Sequence, residues 1–168
     1  LAVKWSSSIK EELGTSWKMG GILPQRMFYS SFVEPHVAKN EKVFVIISDA
    51  LRYDCAKELT DILNMERKGV ATIEALQGVL PSYTKLGMAS LLPNRSISLD
   101  DKNNVYVDGI SASGTENRDK ILKSKNPDSI AVAYNDIKDI SATNFRNIFS
   151  GKKVIYIYHN VIDARGDN

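Results

Sequence analysis

Two stretches of the chain carry unbroken apolar runs, Val43 to Ser48 (VFVIIS), which ends in a small polar residue, and Lys153 to Tyr158 (KVIYIY), which opens on a lysine, and both run into polar residues. An unbroken β-branched run of this length predicts a strand buried on both faces, the habit of parallel sheets. The strand Lys42 to Ser48 is therefore expected at the centre of a sheet, with Asp49 at its carboxyl end. Helical periodicity follows over Ala50 to Asn64, where Leu51, Cys55, Leu59 and Leu63 recur at every fourth position. Such a stripe is expected to pack on the sheet.

Elsewhere the pattern is shorter-ranged. Gly69 to Val79 mixes Val70, Ile73, Ala75 and Val79 with polar residues and suits an edge or half-exposed strand. Pro81 to Thr84 reads as a turn and Lys85 to Leu92 as a short helix stopped by Pro93. Residues 94–104 read as a polar loop, Val105 to Val107 as a short strand, and Gly114 to Ser124 as a charged amphipathic helix carrying Ile121 and Leu122. Ser129 to Ala133 is a buried-type strand, Asp136 to Ile140 a turn or short helix, and Thr143 to Phe149 a helix closed by Gly151. Upstream, Pro24 can open a helix with Met27, Phe28, Phe32 and Val33 at helical spacing up to Pro35. Residues 1–41 thus form a helical lead-in that contains Trp5 and Trp17, and residues 42–168 form the main unit. The alternation of strands and helices predicts an α/β fold: three layers, a mostly parallel sheet, helices on both faces.

Composition narrows the function classes. The 168 residues suffice for one domain, and 22 basic against 20 acidic side chains give no bulk charge to draw the chain to nucleic acid or to an anionic membrane. Cys55 is the only cysteine, which excludes an internal disulfide and a cysteine-built zinc site; a buried thiol is expected there. No apolar run approaches the roughly 18 residues a membrane span needs, and no signal peptide is visible, so a cytoplasmic location is expected. The chain begins with Leu and ends in a polar stretch just after a buried-type strand, the mark of a piece of a longer protein.

Three places put reactive side chains at predicted strand ends or in the turns after them: Asp49, Ser82 with Thr84, and the His159 to Asp167 loop. All carboxyl ends of a parallel sheet share one edge, so the three can converge. Singly, each has a plainer account. An Asp after a strand is a common helix N-cap, Thr84 a turn or cap residue, and Asp163 and Asp167 solvated loop carboxylates. His36, with no ligand at metal-site spacing, reads as a surface histidine. Together, carboxylates and a hydroxyl suit oxygen-bound divalent cations, and the chemistry implied is phosphate-ester hydrolysis. A phosphoacceptor receiver domain would also place an aspartate at a strand end. It needs a lysine after a late strand, whereas Lys152 and Lys153 precede theirs.

The segments VFVIISDALRYDCAKEL, PSYTKLGMASLLP (81–93) and YIYHNVIDARGDN (156–168) resemble, in order, the PglZ family, a branch of the alkaline phosphatase superfamily associated with BREX phage-defence systems. The resemblance implies an alkaline-phosphatase-like fold, of which residues 42–168 are the first part, and a metal-dependent phosphatase or phosphodiesterase, nuclease action included. It assigns Thr84 as the nucleophile, with Ser82 the less favoured alternative, and Asp49, Thr84, Asp163 and Asp167 as metal ligands. It also implies two divalent ions (Zn, Mn or Mg) in the full-length protein, other phage-defence proteins as partners with nucleic acid a further candidate, and no membrane. Asp167 stands where the superfamily pattern has histidine, an exchange that shifts preference from zinc towards manganese or magnesium. Arg52 and Arg165 are candidates for a phosphate contact, with a salt bridge or exposed position the plainer account, and His159 is either a supporting group behind the ligands or a polar strand end. The superfamily's Asp-His pair and later histidine have no counterpart here. By this reading the chain alone has an incomplete metal site and little activity. The alternative is a binding or scaffold module with a degenerate metal site.

Overall fold

The computed structural model describes residues 3, 4, 6, 7, 10, 16–66 and 69–166, so Trp5 and Asp167 lie outside the described residues. In chain order these form β1 (Leu23–Pro24), a 3-10 turn (Gln25–Met27) and a π-helical turn (Tyr29–Val33) that lead into α1 (Glu34–Ala38), then β2 (Val43–Ser48), α2 (Tyr53–Met65), β3 (Leu76–Gln77) and α3 (Thr84–Ser90). There follow β4 (Ile97–Leu99), β5 (Val105–Val107), β6 (Ile110–Ser111), α4 (Gly114–Lys125), β7 (Ser129–Ala133), α5 (Tyr134–Ile137), α6 (Ala142–Phe149), β8 (Val154–His159) and α7 (Val161–Gly166).

The main sheet runs β2-β8-β7 with both pairings parallel, and the short β1 and β3 also pair in parallel; the separate sheet β4-β5-β6 is antiparallel. The expected mixed, mostly parallel α/β architecture is thus present. The last strand, β8, occupies its centre. Every residue from Val154 to Tyr158 is buried because both neighbours and both faces are covered. Val154, Tyr156 and Tyr158 point into one core with Ile121 and Leu122 of α4, Leu86 and Ala89 of α3, and Tyr29 and Val33 from before the first long strand. Ile155 and Ile157 point the other way, onto Ile137 of α5 and Phe149 of α6. This alternation makes the three layers. Tyr156 places its hydroxyl on the Leu91 carbonyl at 2.8 Å, which ties β8 to the end of α3. Trp17 reaches this body too, its indole N–H donating to the Gly78 carbonyl at 2.6 Å.

Several expectations are corrected. Among the described residues β2 is an edge strand, paired only with β8, and the face carrying Phe44 (47% exposed, its ring edge-on to Phe149) and Ile46 (66%) is largely open. Helices α5 and α6 cover that side of β7 and β8, and the helix after β2 does not return to it. That helix begins at Tyr53, not Ala50, because Ala50 takes a left-handed φ of 60° and Leu51 and Arg52 are extended or irregular. The Leu51, Cys55, Leu59, Leu63 stripe therefore lies exposed, and Cys55 is an exposed thiol, not a buried one. The Gly69 to Val79 strand shrinks to Leu76–Gln77, residues 94–104 contain β4, and the His159 to Asp167 segment is not a loop throughout but carries α7. His36 sits at the surface with Glu41 beside its Nδ1 at 2.5 Å. No described helix is long and apolar enough to cross a membrane.

Removing the Tyr156 hydroxyl leaves the Leu91 carbonyl without its donor, so Tyr156→Phe is expected to cost about 1–2 kcal/mol. Leu122→Ala, which opens a fully buried site, is expected to cost about 2–5 kcal/mol. Urea denaturation measures both; a Tyr156→Phe protein as stable as the parent would mean the hydroxyl does not anchor β8.

Candidate active site

The register of β2 on β8 sets Ser48 opposite His159, so both strands end at one level. Beyond that level the two chains remain tied, the Asp49 N–H donating to the His159 carbonyl at 2.9 Å. Ala50 then turns through its left-handed conformation, a sparsely populated region for a residue with a Cβ, and its N–H donates to Asp49 Oδ1 at 3.1 Å. Asp49 is not the cap of α2. Arg52 holds that position, and the first-turn acid is Asp54.

On the neighbouring strand, the ring of His159 is fixed from two sides. Its Nδ1 lies 3.0 Å from Ser48 Oγ, and the ring of Tyr134 meets it edge-on at 4.8 Å. If Nδ1 accepts the Ser48 hydroxyl proton, Nε2 carries the hydrogen; if Nδ1 donates, Nε2 is free to accept or to bind a cation. Immediately after β8, α7 presents Asp163 in its first turn. A carboxylate there also complements the positive end of a helix, so its position has a structural use in addition to any chemical one.

These groups share one cavity of about 340 Å³. Asp49, His159, Asn160 and Asp163 line it from the sheet edge, Arg118 and Thr115 from α4, Met88 from α3, and Tyr158 from β8. The sequence reading missed Arg118 and Tyr158. Arg118 was legible in principle, because it precedes Ile121 and Leu122 by the three- and four-residue spacing that puts it on the buried stripe of α4. Its Nε donates to the Ala112 carbonyl at 2.9 Å, and the guanidinium lies 4.6 Å over the Tyr158 ring. The Tyr158 hydroxyl is buried and, among the described residues, has no well-formed hydrogen bond, the Arg118 guanidinium being its polar neighbour. Burial pushes its pKa up, against the opposing charge and N–H groups of Arg118, so the phenol stays protonated and its own O–H is left to donate.

The other predicted residues stand apart from this cavity. Thr84 is the exposed first residue of α3, one helical turn before Met88, which puts the two on the same side of the helix. Arg52 is engaged with Asp54 through Nε at 3.1 Å and Nη2 at 2.6 Å, both side chains exposed, which is the salt-bridge alternative. That hydrogen bonding holds the Asp54 carboxyl below its ordinary range. Arg165 is exposed on α7, and Asp167 lies outside the described residues. The donor set around the cavity, two carboxylates and an imidazole, fits a hard or borderline dication in kind. In number it supplies only part of a coordination shell: among the described residues no three His, Cys, Asp or Glu side chains are gathered as a metal cluster.

Comparison with known proteins bears on this geometry. Residues 28–168 match the family model described as the BREX system PglZ alkaline phosphatase-like domain. The chain is 55% identical over 168 residues to an alkaline phosphatase-like protein PglZ of Bacillus cereus (strain H3081.97), an alignment that covers 100% of this chain and 20% of the relative. It is 40% identical over 172 residues to an alkaline phosphatase-like protein BrxZ of Escherichia coli O9:H4 (strain HS), covering 99% of this chain and 20% of that relative. The chain thus spans about a fifth of the length of the curated relatives it matches. No solved structure matches it.

A buried hydroxyl without a partner costs free energy, so Tyr158→Phe is expected to leave stability unchanged or raise it by up to about 1 kcal/mol. Chemical denaturation reads this directly. A loss above about 1 kcal/mol would mean the hydroxyl serves the fold and not the cavity.

Proposed function

The chain belongs to the PglZ family of BREX alkaline phosphatase-like domains, and from that premise we propose that it forms the first part of a metal-dependent phosphohydrolase domain acting in phage defence. In this reading residues 42–168 carry the hydrolase fold and residues 1–41 are its lead-in. The observation that supports it most is the shared cavity at the carboxyl edge of a parallel sheet, where two carboxylates, an imidazole, a guanidinium and a buried phenol meet.

Each side chain has a task in the reaction. Asp49 and Asp163, joined by Asp167, would hold a divalent cation, one of two in the full-length protein, which when bound stabilises negative charge on phosphoryl and hydroxyl oxygens. Thr84 is the nucleophile. Its Oγ forms the new bond to phosphorus as its proton passes to solvent, the ester oxygen departs and takes up a proton from solvent, and water then cleaves the phosphothreonine, restoring the hydroxyl and releasing phosphate from a monoester or a phosphomonoester from a diester. Arg118 orients a phosphoryl oxygen through its terminal guanidinium N–H groups, and Tyr158 donates its hydroxyl to another. His159, held by Ser48, supports this edge. The substrate is a phosphomonoester or phosphodiester, nucleic acid included, and the partners are other proteins of the defence system.

A second reading, a binding or scaffold module with a degenerate site, is favoured by the lack of a three-ligand cluster among the described residues and by Asp167 in place of a histidine. Hydrolysis of bis-p-nitrophenyl phosphate by the full-length protein separates the two. Thr84→Ala and Asp49→Ala are each expected to lower kcat by at least about a hundredfold with an unchanged unfolding midpoint, and chelation by EDTA to do the same. Activity retained in either variant overturns the assigned role, and absence of both activity and bound metal in the parent protein supports the scaffold.

A further inference from the structure

A second and larger cavity, about 550 Å³, opens at the other end of the sheet. Its walls come from the Gln25–Met27 turn, the segment after Pro93, and the last turn of α4. α4 ends at Lys125, just before the chain enters β7 at Ser129, so this cavity sits by the amino ends of the strands and the candidate active site by their carboxyl ends. We propose that it is a phosphate-binding site built on Arg26 and Arg95, taking a phosphorylated small molecule of about nucleotide size.

The charge pattern points to an anion. The cavity holds two carboxylates, and both are already satisfied. Asp108 accepts from the Arg95 N–H at 3.0 Å and from the N–H and hydroxyl of Ser96 at 2.7 and 3.2 Å. Partial burial alone would raise its pKa, but these hydrogen bonds and the Arg95 charge outweigh burial and hold the group ionised below the usual carboxylate range. Glu34 is paired with Lys125 at 2.8 Å. The guanidinium groups of Arg26 and Arg95 both line the cavity and make no side-chain hydrogen bond or close ion pair among the described residues, the Arg95 charge acting on Asp108 only at longer range.

Their backbones are nevertheless fixed. The Asn94 side-chain amide donates to the Arg26 carbonyl at 3.1 Å and to the Leu92 carbonyl at 2.8 Å, which joins the two walls. Arg95, the next residue, is pinned through its N–H to Asp108. Anchored main chains with guanidinium N–H groups not spent on hydrogen bonds to the described residues suit capture of a phosphate, whose oxygens match the arginine fork in pairs. The volume lies within the range of about 300–1,000 Å³ typical of small-molecule sites.

The test is calorimetric titration of the full-length protein with inorganic phosphate and with a 5′-mononucleotide, at fixed ionic strength and in EDTA, so that no metal-held phosphate contributes. Binding is expected to persist in EDTA and in Asp49→Ala. Arg26→Gln and Arg95→Gln are each expected to weaken it about tenfold, and the double variant to abolish it, with unfolding midpoints unchanged. Tighter binding of the mononucleotide than of phosphate assigns the whole cavity to a nucleotide; equal binding assigns a phosphate site alone. No binding of either probe by the parent protein, or undiminished binding by the double variant, overturns the proposal, whatever the outcome of the hydrolysis experiments.

Discussion

The arrangement depends on one constraint: β8 is paired in parallel on both sides, to β2 and to β7. A strand in that position must be apolar on both faces, and KVIYIY meets the demand with isoleucines towards α5 and α6 and tyrosines towards α3 and α4. Parallel pairing in a fixed register then decides where chemistry can occur. Ser48 is level with His159, so Asp49 and the start of α7 emerge side by side although they are far apart in sequence.

The two tyrosines of β8 show how the same packing serves different ends. Both point to one face, and both are buried. Tyr156 has an acceptor at the end of α3 and acts as a tie between layers, whereas Tyr158, two residues closer to the open edge, has none among the described residues and lies beneath the Arg118 guanidinium at the cavity wall. A side chain that costs stability at a strand end, beside a cation and carboxylates, is a common sign of a site where polarity is kept for a ligand.

Much of this was legible in the sequence because it rests on local patterns. β7, β8, α4 and the short helix after Pro81 follow from apolar runs, turn residues and helical spacing, and the carboxyl-edge rule placed Asp49 and Asp163 together. What was not legible depends on tertiary coverage. VFVIIS looks as buried as KVIYIY, but Phe44 meets only the edge of Phe149 among the described rings and Ile46 is left open, and among the described residues the stripe with Cys55 stays exposed. The left-handed Ala50, which delays α2 and frees Asp49 from capping, has no sequence signature, since alanine rarely adopts it. Arg118 was hidden by the charged character of α4, although its place on the buried stripe marked it.

The central claim is that Asp49 and Asp163 act together on one cation at this edge. Titration of Mn²⁺ or Zn²⁺ into the full-length protein, its Asp49→Asn and Asp163→Asn variants and the double variant tests it directly. Two carboxylates on one ion predict a loss of at least about tenfold for each single change and little further loss in the double variant, because either ligand is needed for the same site. Unchanged affinity in the single variants, or losses that belong to two independent binding events, would contradict the account.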